Sequence, residues 1–98
     1  MKPPFVVIRS RGPAWDDSTP MEQQADWPAH AAFMEGLADE GFLVMVGLLE
    51  GTREVLLIVR AEGQPEIERR LAADPWAANG LLVVKQIAPW QIRLGTLP

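Results

Sequence analysis

The order of its apolar runs is the feature that most constrains what this chain can fold into. Four short runs rich in valine, isoleucine and leucine alternate with two stretches of helical periodicity, in the order strand, helix, strand, strand, helix, strand. The strand-like runs lie at residues 5–9, 42–46, 54–59 and 81–84, and the last resumes at 90–94 after Pro89. This order predicts two β-α-β units packed as one sheet layer against one helix layer.

Punctuating residues bound the two helical stretches. In the first, apolar side chains recur at three- and four-residue steps from Trp27 to Ala38, an aspartate and a proline lie at its start, and Gly41 follows its end. The second begins at residues 64–66, again with proline and an acid in its first turn, and is ended by Asp74 before a proline. Both stretches are long enough to cross back over a sheet.

The strand and helix order predicts an α+β, ferredoxin-like fold. Right-handed crossovers place the strands in the antiparallel order 4-1-3-2 and put both helices on one face. With 98 residues the chain has enough side chains for one core, so residues 1–98 are expected to form a single domain.

The face of the sheet without helices predicts a partner. A sheet with one wet side usually alternates polar and apolar residues, whereas the second, third and fourth strands are almost continuously apolar. Left open, that face would show more apolar area than soluble monomers usually expose. We therefore expect a homodimer that forms through the sheet face.

Charge and composition exclude several classes of function. Thirteen acidic against nine basic side chains give a net charge of −4, whereas proteins that bind nucleic acid are usually basic on one face. No apolar run reaches the roughly 18 residues that a membrane span needs. The N-terminal residues do not form a secretory signal, so a cytoplasmic location is expected. The absence of cysteine excludes disulfides, thiolate nucleophiles and cysteine metal sites.

The single histidine, His30, is the best candidate for chemistry. Because the two helices run antiparallel, His30 in the first turn of the first helix and Asp74 after the second are expected at the same end of the domain. A helix N-terminus favours the neutral imidazole, whereas a carboxylate in reach orients the ring and stabilises its protonated form. Such a pair can move a proton near neutral pH. The alternative interpretation is a core histidine and a turn-forming aspartate.

Other chemistries have weaker support in the sequence. One histidine without cysteine would need carboxylates to complete a metal site, and no spacing motif indicates one. Residues 47–51 lack the lysine and hydroxyl of a phosphate loop, and no serine lies in a nucleophile elbow. We therefore expect neither a metal nor a cofactor. Trp15 and Trp76 lie in segments suited to lining a pocket.

Several short motifs, taken in order, resemble a known family. They are WPAHAAFM at residues 27–34, ADPW at 73–76, GL at 80–81 and PW at 89–90, while RGPAWD at 11–16 is similar to a loop of one subgroup. Together they resemble the YciI-like (YCII-related) family of the dimeric α+β barrel superfamily. The resemblance implies a ferredoxin-like protomer, two sheets packed into a barrel, and an active site whose histidine and aspartate correspond to His30 and Asp74.

These observations lead to a functional hypothesis. We expect proton transfer on a small organic molecule, as in isomerisation or elimination, with His30 as general base or acid and Asp74 orienting it. Trp15, Asp16 and Trp76 are expected to enclose the substrate. The alternative is a protein that binds a small ligand, or serves assembly, without turnover. A cofactor-dependent oxygenase is a third possibility, for which the sequence offers no motif.

One departure from the family pattern concerns a wall of the expected pocket. Many relatives carry Gly-Pro after the second strand, whereas this chain has Gly47 followed by Leu48 in a short hairpin. The pocket is therefore expected to differ from that of relatives on this side.

Overall fold

The computed structural model describes residues 1–98 and contains four strands and three helices. The strands are β1 (Pro4–Arg11), β2 (Leu43–Leu48), β3 (Glu54–Arg60) and β4 (Leu82–Pro89). The helices are α1 (Trp27–Asp39), α2 (Gln64–Ala72) and the single turn α3 (Pro75–Ala78), and a 3₁₀ turn at Met21–Gln23 precedes α1. None of the helices has the length and apolar character needed to cross a membrane.

The sheet has the predicted topology. Its strands lie in the order β2-β3-β1-β4 and every neighbouring pair is antiparallel, which confirms the ferredoxin-like order 4-1-3-2. The two central strands pair without interruption from Pro4 with Arg60 to Ser10 with Glu54. The pairing of β1 with β4 shifts register between Ile8 and Arg9. The register shift marks a bulge in β4, and a bulge increases the local twist of the strand that contains it.

The main core lies between the sheet and the helices. Alternate residues of β1 point to this side, so Phe5 and Val7 are buried against their β3 partners Val59 and Leu57. The helices contribute three further buried side chains, namely Leu37, Ile67 and Leu71. Burying one such side chain stabilises the fold by about 1.5–3 kcal/mol, so this layer holds both helices on one face of the sheet.

One detail of the sequence-based prediction is wrong, and one helix was not predicted. The last strand does not resume at residues 90–94 but ends at Pro89, because its partner β1 begins at Pro4 and offers only one more acceptor, to the Trp90 amide. Asp74 does follow α2, but it also begins α3 as its N-cap. A helix of one turn has no periodicity, so the sequence pattern did not predict it.

The face of the sheet that points away from the helices carries apolar side chains from all four strands, and we call it the open face. Its members, assigned by strand register, are Val6, Ile8, Met45, Leu56, Ile58, Val83 and Ala88. Met45 is 46% and Val83 48% exposed, so much of this apolar surface is in contact with solvent in the single chain.

Candidate functional site

A cavity of about 340 Å³ lies between the sheet and α1, at the end of the sheet where β1 finishes. Its lining is mainly apolar and aromatic, with few polar groups. Its polar and aromatic lining includes Arg9, Arg11, Trp15, Trp27, His30 and Trp76. A volume of this size, apolar with a few convergent polar groups, is typical of a site for a small organic molecule.

The structure brings His30 and Asp74 together, although they are 44 residues apart in the chain. His30 Nδ1 lies 2.9 Å from Asp74 Oδ1 and 3.0 Å from Oδ2. An ionised carboxylate only accepts hydrogen bonds, so Nδ1 is the nitrogen that donates. Nε2 has no partner in the chain and is not among the fully buried polar atoms, so it opens to the cavity. This arrangement leaves Nε2 free to accept a proton.

Asp74 is fully buried and accepts two further hydrogen bonds besides that of His30. Arg9 Nη2 donates to Oδ2 at 2.8 Å, and the Trp76 backbone amide donates to Oδ1 at 2.9 Å as the N-cap contact of α3. Burial acts to raise the pKa of Asp74, but the hydrogen bonds from His30, Trp76 and Arg9 outweigh it and hold the pKa below its usual range. Asp74 is therefore ionised at neutral pH. It does not itself line the cavity.

The indole of Trp76 fixes the plane of the imidazole. The two rings stack with centroids 3.8 Å apart and planes 7° apart. The Trp76 ring is held in turn by Nε1, which donates to the Ala25 carbonyl at 2.7 Å, and by an edge contact with Trp15. Trp27 packs at a tilt against both the imidazole and Trp76. Because one side of the His30 ring is covered, the ring is restricted to small motions.

The loop after β1 closes one side of the cavity with Trp15. Trp15 is only 9% exposed, and the Arg11 guanidinium lies 4.6 Å from its ring centroid. Buried Gln24 holds the loop: its Nε2 donates to the carbonyls of Asp16 and Thr19 at 2.7 and 2.9 Å, and its Oε1 accepts from the Asp16 amide. Trp15 is thus positioned by hydrogen bonds made further along the same loop.

The structure places Asp16 outside the cavity. Its side chain is exposed and accepts hydrogen bonds from Ser18 and Thr19, which hold the pKa of Asp16 below its usual range. Asp16 was expected to help enclose the substrate, whereas its carboxylate turns back into its own loop. Trp15 and Trp76, in contrast, both line the cavity.

The backbone just after β1 packs closely against the backbone at Gly80 and Leu81, next to the site. The Gly12 amide donates to the Leu81 carbonyl at 2.8 Å, and the Ala14 amide donates to the Gly80 carbonyl at 3.2 Å. A Cβ atom at Gly12 would lie 2.2 Å from the Gly80 carbonyl oxygen, which no side chain tolerates. Position 12 therefore requires glycine for this approach.

Sequence reasoning missed two polar residues of the site, Arg9 and Gln24. Arg9 was assigned only as the end of the first strand, yet the two-residue period of β1 places it on the same face as Phe5 and Val7, and it is 1% exposed. This alternation could have predicted that Arg9 is buried. Gln24 precedes α1 in an irregular segment, where no periodicity indicates which side chains are buried.

The rim opposite the tryptophans is formed by the end of β2. Gly47 and Leu48, where the chain departs from the Gly-Pro of many relatives, both line the cavity. Leu48 is 53% exposed, so this side is open to solvent. Nowhere in the chain do three or more His, Asp or Glu side chains come together as potential ligands of one metal ion.

Comparisons with known proteins agree with this architecture. The model of the YCII-related domain family matches residues 5–91. A solved structure with a similar fold is the 5-chloro-2-hydroxyhydroquinone dehydrochlorinase TftG from Burkholderia phenoliruptrix AC1100, in complex with 2,5-dihydroxybenzoquinone. The two share a TM-score of 0.62 and 20% identity, over 89% of this chain and 93% of that one, a likeness of fold. No curated protein matches the chain.

Proposed function

Because the chain belongs to the YCII-related family, we propose that it is an acid-base enzyme of the isomerase or lyase type that acts on a small organic molecule. The observation that carries the proposal is the state of His30, with Nδ1 held by Asp74 and Nε2 open to an apolar cavity. A positioned imidazole with one free nitrogen is the commonest general acid-base group of enzymes.

The proposed reaction is a proton transfer through His30. Nε2 takes a proton from a carbon of the substrate, and the electron pair left behind forms a new double bond. The imidazolium then returns the proton at another position, which isomerises the substrate, or the electron pair expels a leaving group, which completes an elimination. Asp74 does not line the cavity and acts through His30, by fixing the tautomer and stabilising the imidazolium.

The surrounding residues support this chemistry by enclosing the substrate. Trp15 and Trp76 are proposed to cover it and to keep water from the proton-transfer step, while Asp16 contributes by shaping the loop that carries Trp15. The structural neighbour is named a dehydrochlorinase, and dehydrochlorination is an elimination. That name supports the lyase form of the proposal.

The test is solvent deuterium exchange with the purified protein. A panel of small carbonyl compounds and chlorinated hydroquinones is incubated in deuterated water and followed by mass spectrometry. We expect deuterium incorporation, or loss of chloride, with the wild type, and a decrease of at least about 100-fold with His30→Gln. Asp39→Asn, at the exposed end of α1, is the control that should retain activity. Binding of compounds without His30-dependent turnover would instead favour the non-catalytic alternative.

A second measurement tests the role of Asp74 as a positioning residue. In the wild type the Nδ1 of His30 donates to the carboxylate, whereas the amide of Asp74→Asn can donate to Nδ1 and move the proton to Nε2. Nitrogen chemical shifts of the imidazole report which tautomer is present. We expect the tautomer to change in Asp74→Asn, together with the exchange rate, and both to stay unchanged in Asp39→Asn. A purely structural Asp74 would leave the tautomer as it is.

We also propose that a second copy of the chain covers the open face. Exposed Met45 and Val83 lie on this face, and both are apolar. Two copies that pack these faces together would remove the side chains from water and form the two-sheet barrel that the family resemblance implies. The cavity lies on the helix side of the sheet, so the dimer would leave it accessible.

A further inference from the structure

Arg9 is a buried cation whose hydrogen bonding is incomplete. Its guanidinium has five N–H donors, and the only oxygen that it meets is Oδ2 of Asp74. Its Nε is the one buried side-chain polar atom of the chain without any partner. Its Nη1 has only the sulfur of Met34, at 4.0 Å, which is a weak acceptor. Buried polar groups in folded proteins are nearly always satisfied, so this one indicates a missing acceptor.

Arg9 lines the cavity together with Met34, the weak partner of its Nη1. The contact of Nη1 with the thioether therefore lies at the cavity wall. Methionine is flexible and its sulfur is easily displaced. A ligand oxygen that enters the cavity can therefore take the place of the sulfur and give Nη1 the acceptor that it lacks.

The charges of the lining favour an anion. Arg11 lies two residues after Arg9, on the same face of β1, and also lines the cavity. The lining thus presents two guanidinium groups against one carboxylate, that of exposed Glu35, because Asp74 lies behind Arg9 and His30. An imidazolium at His30 would add one more positive charge during proton transfer.

We propose that the ligand of this cavity is a small, flat organic anion whose carboxylate or enolate-type oxygen is held by Arg9, with Arg11 as a second cationic contact. The aromatic lining from Trp15, Trp27 and Trp76 suits a flat carbon skeleton. This inference rests on the proposed function for the reaction and adds the substrate class to it.

The shared carboxylate places the anion next to the base. Arg9 Nη2 and His30 Nδ1 lie 2.8 and 3.0 Å from the same oxygen, Asp74 Oδ2, so the guanidinium and the imidazole are adjacent. An oxygen bound at Arg9 is then close to the carbon that His30 deprotonates. As the proton moves to Nε2, the C–H electron pair forms a carbon–carbon double bond and the π pair of the adjoining C=O moves onto the oxygen that Arg9 holds. The guanidinium stabilises the charge that develops there.

The first test uses the wild-type protein, so it does not depend on the folding of a variant. Sodium benzoate and benzamide have the same ring and nearly the same shape, but only benzoate is an anion. We expect benzoate to bind at least about tenfold more tightly in calorimetry at constant ionic strength. Heteronuclear NMR should show the Nε–H signal of Arg9 moving with benzoate and staying in place with benzamide.

Variants then assign the preference to Arg9. Arg9→Lys keeps the charge beside Asp74 but loses the planar fork, and we expect it to lose about tenfold in benzoate affinity with little change for benzamide. Arg11→Met should lose less. Arg93→Met, in the exposed C-terminal segment, is the matched control and should retain the wild-type preference.

The outcomes separate this inference from the proposed function. Equal affinities for benzoate and benzamide, or a benzoate complex that leaves the Arg9 signal unmoved, overturn the anion site. A benzoate preference that depends on Arg9, without any His30-dependent exchange, supports the anion site and contradicts the proposed enzyme. Exchange that depends on His30 but occurs only with neutral compounds overturns the anion site alone.

Discussion

Arg9 and Asp74 form an ion pair with almost no contact to solvent, since their side chains are 1% and 0% exposed and Nη2 lies 2.8 Å from Oδ2. The pair joins the central strand β1 to the start of α3, and through Asp74 it reaches His30. A buried ion pair differs from a surface pair in the cost of losing one partner. Removing one partner leaves the other charge uncompensated in a medium of low dielectric constant.

We expect Asp74→Asn to lower the free energy of unfolding by about 3 kcal/mol, because Arg9 loses the negative charge of its only ion-pair partner. The matched control is Asp17→Asn, which removes an exposed carboxylate paired with Arg53 and should cost less than about 1 kcal/mol. Urea denaturation of both variants measures the difference. Equal losses in the two variants would contradict the prediction.

The lowered pKa of Asp74 predicts how stability changes in acid. The folded chain holds this carboxylate charged at pH values where the unfolded chain already binds a proton. The stability that Asp74 contributes is therefore fully present above its ordinary pKa of 3.8 and is lost as the pH falls from there through the lower folded-state value. Urea midpoints measured between about pH 2 and pH 6 should fall less steeply for Asp74→Asn than for the wild type. Equal pH dependence of the urea midpoint in the two proteins would contradict this contribution of Asp74.

Gly12→Ala is expected to destabilise the fold by about 2 kcal/mol or more, because the new Cβ atom would meet the Gly80 carbonyl oxygen at 2.2 Å. Gly36→Ala is the matched control. Position 36 lies within α1 and has no atom within 4 Å of an added Cβ, so alanine should stabilise the helix by about 0.5–1 kcal/mol. Thermal denaturation distinguishes the two variants. A higher midpoint for Gly12→Ala than for the wild type would show that the backbone at Gly80 can move away from the added Cβ atom.

Gln24→Ala is expected to release the loop that carries Trp15, because its side chain makes three hydrogen bonds with Asp16 and Thr19. Amide hydrogen exchange at residues 15–19 should become faster, while the strands keep their protection. Gln23→Ala, at an exposed neighbouring position, should leave the loop unchanged. Identical exchange in the two variants would mean that packing of Trp15 alone holds the loop.

The open face predicts the oligomeric state. We expect light scattering at micromolar concentration to give the mass of a dimer for the wild type and that of a monomer for Val83→Asp, because an aspartate there would be buried without a partner. Leu94→Asp, at a position that is 95% exposed in the C-terminal segment, should remain dimeric. A wild-type monomer at this concentration would contradict the proposed interface.

The strand order and the meeting of His30 with Asp74 could be predicted from the sequence because both follow from rules of chain topology. Two right-handed β-α-β units allow one strand order, and antiparallel helices bring the start of one to the end of the other. Neither inference needs side-chain detail. The resemblance to the YCII-related family includes the motifs that contain His30 and Asp74, and it is confirmed by the match over residues 5–91.

The remaining features depend on contacts that no local pattern contains. Gln24 is buried because it bonds to backbone atoms of Asp16 and Thr19, and this needs the loop already folded. Asp16 was expected to help enclose the substrate, but a short polar side chain is satisfied most easily within its own turn. The burial of Arg9 could have been predicted from the alternation of side chains along β1, and it was missed because charged residues are seldom buried.

Asp74 serves the fold and the candidate site with the same two oxygen atoms, since it caps α3, neutralises Arg9 and orients His30. This sharing has an evolutionary consequence. A descendant of this chain cannot exchange Asp74 to alter its chemistry without also weakening its structure, so the proton-moving centre is inherited as a unit. The rim at Gly47 and Leu48 has no such double role, because both residues are exposed to solvent. New substrate preferences in this lineage are therefore expected to arise at that rim, around an unchanged centre.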